Sequence, residues 1–478
     1  MRVAIALDRA ASSPLHRQIY EQWRTGILKG RFRRGDRVPS TRELAAALEV
    51  SRATATQAYE QLVAEGYLES ARGSGTFVCR ELPEDLLRAG RVRDTTAHEV
   101  PPLRLSRFGA GLRDDHLYPP TRAGLISFTH WRPDLNHFPL ALWRKLLTRH
   151  LKTPRRELFD YSDHSAGYPA LREEIAAYVA RSRAVRCSPD QVIIVNGSAQ
   201  GIDLCARLLL ESGDEVAIEN PCYQGARGIF LASGARLRPV RVDEDGIATG
   251  DLGTRARLVY VTPSHQFPSG VSLSLARRLE LIEWARRHGA TLMEDDYDSE
   301  YRYSGPPLPA LQGLASGVPV IYIGTFSKVM FPALRIGYVI APEQLVRPLE
   351  RAKWLADRHT ALLDQAVLAD FIAQGHLERH IRRMRRLYGR RRAALIEALA
   401  RHFGDRAQVR GDAAGMHVLV RFEEQAIEGR AEAAGVLLAS ARDHYLTDPP
   451  RGEFIFGFSS IGEKMIREGV RRLAEATN

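Results

Sequence analysis

The chain has 478 residues, 44% of them hydrophobic and 8% aromatic, which allows a sizeable buried core and excludes a disordered or low-complexity polymer. Lys and Arg outnumber Asp and Glu by 68 to 57, a net charge of +11 that mildly favours a polyanionic partner. No apolar run approaches the ~18 residues of a membrane span, and the apolar start Val3–Leu7 stops at Asp8, too short for a secretory leader. Cys79, Cys187, Cys205 and Cys222 show no CxxC or metal-like spacing, so a cytoplasmic protein with no structural metal and no membrane partner is expected.

In chain order, Pro14 opens a helix with Leu15, Ile19, Trp23 and Ile27 at helical spacing, closed by Gly30. Ser40-Thr41-Arg42-Glu43 reads as a capping box before a short second helix, and after a break at Glu49–Ser51 a third runs from Arg52 to Glu65. Gly66-Tyr67-Leu68, a turn at Arg72–Gly75 and Thr76-Phe77-Val78 then read as a hairpin. This helix, helix, turn, helix, hairpin order resembles the GntR-type winged helix over residues 10–79. The resemblance implies binding to a double-stranded DNA operator, with the third helix in the major groove. Ser51, Arg52, Thr54 and Gln57 would face the DNA from that helix, Arg42 from the helix before it, and Arg72 and Ser74 from the wing. Arg52 can reach a guanine edge or a phosphate.

Residues 80–122 lack sustained periodicity and read as a linker. From 123 to 478 short apolar runs (Gln191–Val195, Glu215–Ile218, Leu258–Val261, Thr291–Met293, Pro319–Ile323) alternate with helical stretches, which predicts an α/β fold with a mostly parallel central sheet. Ligands of such sheets bind at the carboxyl ends of the strands. The segments after these runs are Asn196–Gln200, Asn220–Tyr223, Pro263–Gln266, Glu294–Tyr297 and Thr325–Lys328, all polar or turn-rich.

That set, with TFSKVMFPALRIGY at its centre, resembles the fold-type I pyridoxal-phosphate enzymes of the aminotransferase kind. The resemblance implies pyridoxal 5'-phosphate as cofactor and Lys328 as its Schiff-base lysine. Burial would keep that amine neutral and nucleophilic. Arg335, Thr325, Ser327 and the helix start Ser198-Ala199-Gln200 would hold the phosphate, the last through backbone N–H groups. Asp295 would face the pyridine nitrogen, with Asp296 as rival because neighbouring strand residues face opposite ways. Tyr297 would donate to the ring hydroxyl, Tyr223 would stack on the ring, and Tyr161 would reach the phosphate of a partner subunit.

Two departures shape the functional expectation. The asparagine of the family's N-P-x-N-P-T-G is absent from Thr262–Gly270, where His265 or Gln266 could substitute. Ile455 stands where aminotransferases carry the arginine for a substrate α-carboxylate, and a charged hydrogen bond of about 1.5–3 kcal/mol is lost there. Arg451, Arg132 and His164 are other candidate anion partners. A winged helix joined to an aminotransferase-like domain resembles the MocR/GabR transcription regulators. In that family a homodimer senses an amine or amino-acid-like effector through external aldimine formation at the cofactor. A working aminotransferase with a DNA-binding appendage, or a regulator that senses pyridoxal phosphate itself, are the alternatives.

Overall fold

The chain divides into two units, Met1–Arg104 and Leu105–Asn478. The computed structural model describes residues 5–71, 74–84, 103–106, 108–109, 124–128, 132–153, 155–305, 308–423 and 427–477. Arg72 and most of the expected linker lie outside them.

In the first unit α1 (Leu15–Leu28) starts behind Pro14, and its buried stripe is Ile19, Trp23 and Ile27, as the spacing predicts. β1 (Arg37–Val38) leads to α2 (Thr41–Ala47), whose capping box has the Glu43 N–H on Ser40 Oγ at 3.2 Å and the Ser40 N–H on Glu43 Oε2 at 2.7 Å. α3 (Arg52–Ala64) is capped by Ser51, whose Oγ accepts the Thr54 N–H at 3.1 Å. β2 (Leu68–Ala71) and β3 (Gly75–Val78) form the wing and join β1 in an antiparallel sheet of order β1-β3-β2. Trp23 ties this small core together, its ring 4.2 Å from Phe32 and 6.0 Å from Tyr59 between centroids.

The second unit opens with β4 (Ile126–Ser127), α4 (Leu140–Lys152) and α5 (Pro169–Arg183). Its main sheet is built from β5 (Val192–Val195), β6 (Glu215–Asn220), β7 (Arg236–Asp243), β8 (Gly246–Ile247), β9 (Ala256–Val261), β10 (Thr291–Asp296), β11 (Val320–Thr325) and β12 (Gly337–Ile340). Helices α6 (Ser198–Leu209), α7 (Gln224–Ala232) and α8 (Leu275–His288) intervene. The order is β5-β12-β11-β10-β9-β6-β7-β8; β12 runs antiparallel to both its neighbours, β8 antiparallel to β7, and the other pairs are parallel. The carboxyl ends of β5, β6, β9, β10 and β11 therefore share one edge. Both faces are covered: Ile193, Val195, Met293, Ile321 and Ile323 join one buried cluster, and Val192, Ile194, Tyr322 and Ile340 another. Two covered faces explain why these strands read as unbroken apolar runs.

Three helices, α9 (Glu343–Asp357), α10 (Leu362–Ala373) and α11 (His376–Phe403), lead to a second sheet. Its strands are β13 (Ala407–Arg410), β14 (His417–Phe422), β16 (Ala439–Ser440) and β17 (Glu453–Gly457), antiparallel in the order β13-β14-β17-β16, while β15 (Val436–Leu437) pairs with β4. The last helix is Glu463–Thr477. Among the described residues no helix is long and apolar enough to cross a membrane.

Candidate functional site

On the first unit Arg42, Ser51, Arg52, Gln57 and Ser74 are exposed and Thr54 is half-buried. Ser51 and Thr54 also hold each other, Oγ to Oγ1 at 2.8 Å. Arg52 opens α3 and Gln57 lies in its second turn, and among the described residues neither Arg42 nor Arg52 forms an ion pair. Arg31, Arg33, Arg34 and Arg37 are exposed in the loop and strand before α2. These exposed side chains can offer cations and an amide to a polyanion.

On the second unit the carboxyl edge of the main sheet gathers the other candidates. Lys328 follows β11 by a short turn and is half-buried; loss of hydration lowers its ammonium pKa to about 8, against the pull of Asp298 and Asp295. Asp295, next to last in β10, bears on it and is 4% exposed. Burial pushes the Asp295 carboxyl up to about 6, opposed by the Tyr260 hydroxyl that donates to Oδ2 at 2.6 Å. Its rival Asp296 faces the other way, where Oδ2 accepts from Arg183 Nε at 2.7 Å and the Tyr322 hydroxyl at 2.6 Å. Although burial works against its charge, the Arg183 guanidinium holds the Asp296 carboxyl below the usual range. Asp296 belongs to a structural ion pair, and Asp295 is the carboxylate coupled to Lys328.

The phosphate candidates meet where β5 turns into α6. Gly197, at φ 88°, lets the chain pass so close to Arg335 that a Cβ there would lie 2.7 Å from Nη2. Arg335 Nη2 donates to the Asn196 carbonyl at 2.8 Å, and Arg335 itself takes the left-handed conformation at φ 53°. Ala333, in place of the family glycine, lies in an ordinary short turn, so that substitution costs the backbone nothing. Thr325 Oγ1 accepts the Ser327 N–H at 3.2 Å. Ser198 and Ala199 form the first turn of α6, whereas the Gln200 side chain turns aside: it donates to Asp357 at 2.8 Å and accepts the Asn196 N–H. Tyr161 is 82% exposed, with the Arg358 guanidinium 5.4 Å from its ring.

The donor set was tested against pyridoxal phosphate from the chain alone, and it fits. Asp295 Oδ1 is buried without a partner among the described residues, as a carboxylate awaiting a ring N–H would be, and so is Ser327 Oγ. At the other end, the cradle at Gly197 is one that a Cβ would fill.

Around the ring position, Tyr297 is half-buried with its hydroxyl 3.0 Å from His265 Nδ1. Gln266 cannot share that role. Its Nε2 donates to the carbonyls of Pro221 and Phe267, each at 2.7 Å, and its Oε1 accepts from Ser269. Phe267 packs at right angles to Tyr223 at 6.2 Å and nearly so to Tyr297 at 6.0 Å. Ile455 is fully buried against Leu419 and Ala441, with Phe267 packed on that cluster. Arg132, His164 and Arg451 are all exposed, and Arg451 precedes β17 in a turn. Sequence reasoning missed Asp298 and His417, which join His265 in a buried group with ligating atoms within 4.8 Å of one another. It also missed Asp357, which reaches the cradle from the end of α9. Only their polarity beside apolar neighbours could have flagged them.

Comparison with known proteins gives each unit a family. Residues 15–78 match the family described as bacterial regulatory proteins, gntR family, and residues 132–448 match aminotransferase class I and II. The chain is 40% identical to the probable rhizopine catabolism regulatory protein MocR of Rhizobium meliloti, over 99% of this chain and 95% of that one. It is 33% identical to the pyridoxine biosynthesis transcriptional regulator PdxR of Corynebacterium glutamicum, over 99% and 98% of the two chains. Among solved structures, a Pyrococcus horikoshii kynurenine aminotransferase in complex with PMP superposes with a TM-score of 0.70 at 29% identity, covering 74% of this chain and 91% of that one.

Proposed function

The chain belongs to the MocR-type family of HTH transcriptional regulators, a GntR domain joined to an aminotransferase-like domain, and from that premise we propose that its second unit senses an amine through pyridoxal phosphate and thereby governs operator binding by the first. The observation that carries this reading is the pairing of Lys328 with Asp295 at one end of a site whose other end is the Gly197–Arg335 cradle. Bound there, pyridoxal phosphate supplies an aldehyde that condenses with primary amines on an electron-withdrawing ring.

Each residue has its own task. Lys328 presents an amine that is about half neutral near pH 8, Asp295 keeps a negative charge against the ring nitrogen, and Arg335 with the first turn of α6 receives the phosphate. Tyr223 and Phe267 wall the ring position with aromatic faces. With the cofactor held there, Lys328 would be the group that an effector amine displaces, and as a free amine it would change the charge balance beside Asp295 and Asp298. Regulation requires that the effector bind one arrangement of the protein better than the other. The buried Ile455 favours a sensor over an enzyme for ordinary α-amino acids, because an apolar side chain cannot clamp a carboxylate. A homodimer, with Tyr161 reaching the partner's phosphate, completes the proposal.

The test is the visible absorption spectrum of the full-length protein with and without a panel of amines. A band that survives dialysis, disappears with borohydride and is absent from Lys328→Ala supports the cofactor reading. A shift that one amine produces and a keto acid does not reverse supports a sensor. Steady turnover of amine and keto acid would make the second unit an enzyme, and no band after adding pyridoxal phosphate would refute the reading.

A further inference from the structure

His265, Asp298 and His417 are buried together beside the ring position, and none of them is among the residues assigned above to the cofactor. The His265 ring is clamped between glycines. A Cβ at Gly415 (φ 78°) would lie 2.0 Å from His265 Cε1, and one at Gly270 (φ 73°) would lie 3.0 Å from Nε2. The same Cβ at Gly415 would lie 2.1 Å from Nδ1 and 2.7 Å from Asp298 Oδ2, so the close approach of that glycine seats the ring and Asp298 together. Nδ1 lies 3.1 and 3.2 Å from the two Asp298 oxygens and 3.0 Å from the Tyr297 hydroxyl, whereas Nε2 is buried with no partner among the described residues.

The proton count decides the direction of this chain. Asp298 also accepts the Met416 N–H at 3.1 Å, and an ionised carboxylate can only accept. Nδ1 must therefore carry the histidine proton and share it between Asp298 and the Tyr297 oxygen. The Tyr297 oxygen is then an acceptor on this side, and its own O–H is available to the other. Charged groups that bear on Tyr297 are Asp298, Asp295, Glu219 and Asp296, all acidic, with Lys328 beside Asp295. Burial first, and these groups with it, resist ionisation of the phenol, so it stays a donor.

We propose that Asp298 and His265 are positioning residues that fix Tyr297 as a hydrogen-bond donor to the ring hydroxyl oxygen of pyridoxal phosphate, in place of the asparagine this chain lacks. The proposal rests on the cofactor reading above. Asp298→Asn tests it with little change of shape. An amide N–H facing Nδ1 moves the histidine proton to Nε2, and the Tyr297 O–H then turns back to Nδ1. The ring oxygen loses a donor, becomes more basic and holds the neighbouring Schiff-base proton more tightly.

The measurement is a pH titration of the visible band of the full-length, cofactor-loaded protein. The Asp298→Asn midpoint should rise by roughly one to two units, Tyr297→Phe should rise similarly, and the double variant should rise no further than either. An Asp298→Asn profile identical to that of the unsubstituted protein, or an additive double variant, overturns the proposal. Should Asp298→Asn fail to fold, the unsubstituted protein labelled with 15N-histidine decides the matter. His265, assigned by loss of its signal in His265→Gln, is expected to carry its proton on Nδ1, and a proton on Nε2 overturns the proposal. Stoichiometric zinc that Asp298→Asn releases would also overturn it, since Nδ1 would then be a ligand. A protein that shows no band with added pyridoxal phosphate sinks the cofactor reading itself, which is distinguishable from an unshifted profile in a coloured protein.

Discussion

Gly197→Ala should separate the cost of backbone strain from the cost of losing the phosphate cradle. Gly197 has φ 88° and ψ 161°, a region that residues with a Cβ essentially do not occupy. Holding alanine there costs about 1–3 kcal/mol of folding stability. Its Cβ would also sit 2.7 Å from Arg335 Nη2 and 3.1 Å from Cζ, and because Arg335 is an exposed, flexible side chain it will swing away. The phosphate then loses a charged hydrogen bond of about 1.5–3 kcal/mol, which corresponds to roughly ten- to hundredfold weaker cofactor binding. The assay is a pyridoxal-phosphate titration followed by absorbance, beside urea unfolding of the cofactor-free protein. Arg335→Ala should lose the same affinity without the stability, and the double variant should bind no worse than Arg335→Ala. If Gly197→Ala binds the cofactor as the unsubstituted protein does, the cradle argument is wrong.

Three further outcomes are expected. Lys328 in the folded chain titrates near 8, below the 10.5 of an ordinary lysine. The penalty for protonating it is present in full below about 8 and fades towards 10.5, so the cofactor-free protein should gain stability across that window; a Lys328→Met variant with the same pH profile would refute this. Asp296→Asn should destabilise the fold by about 3–5 kcal/mol by stranding the buried Arg183, while Asp295→Asn should weaken cofactor binding and leave the cofactor-free protein's unfolding near pH 7 unharmed. Equal losses of stability would merge the two roles. Arg52→Ala should weaken operator binding without altering the visible band. A phosphate contact would lower the salt slope of log affinity by about one, whereas a base contact would relax sequence preference; unchanged operator affinity would remove Arg52 from the interface.

The sequence made part of the site legible because that part is local. Lys328, Arg335, Thr325 and Ser327 sit within one strand-to-turn segment, and Asp295 and Tyr297 flank the end of another, so the resemblance of two short motifs grouped them. Period-2 alternation could not choose between Asp295 and Asp296; that needed Arg183, which arrives from α5. His417 and Gly415 approach His265 from the second sheet, and Asp357 approaches Gln200 from α9, contacts that no local pattern encodes. Strand β7 escaped notice because Arg236, Arg238 and Arg241 break its apolar character next to the sheet edge. β12 was hidden inside the motif around Arg335. The three helices and wing of the first unit were plain, since caps and periodicity there agree.

At the start of α3, the side chains that build the helix and those that could read a sequence are different ones. Ser51 and Thr54 spend their hydroxyls on each other and on the backbone, whereas Arg52 and Gln57 stand clear of that arrangement. Specificity and foldability are thus separable within two turns of helix. Exchanging residues 52 and 57 should therefore leave the cap as it is.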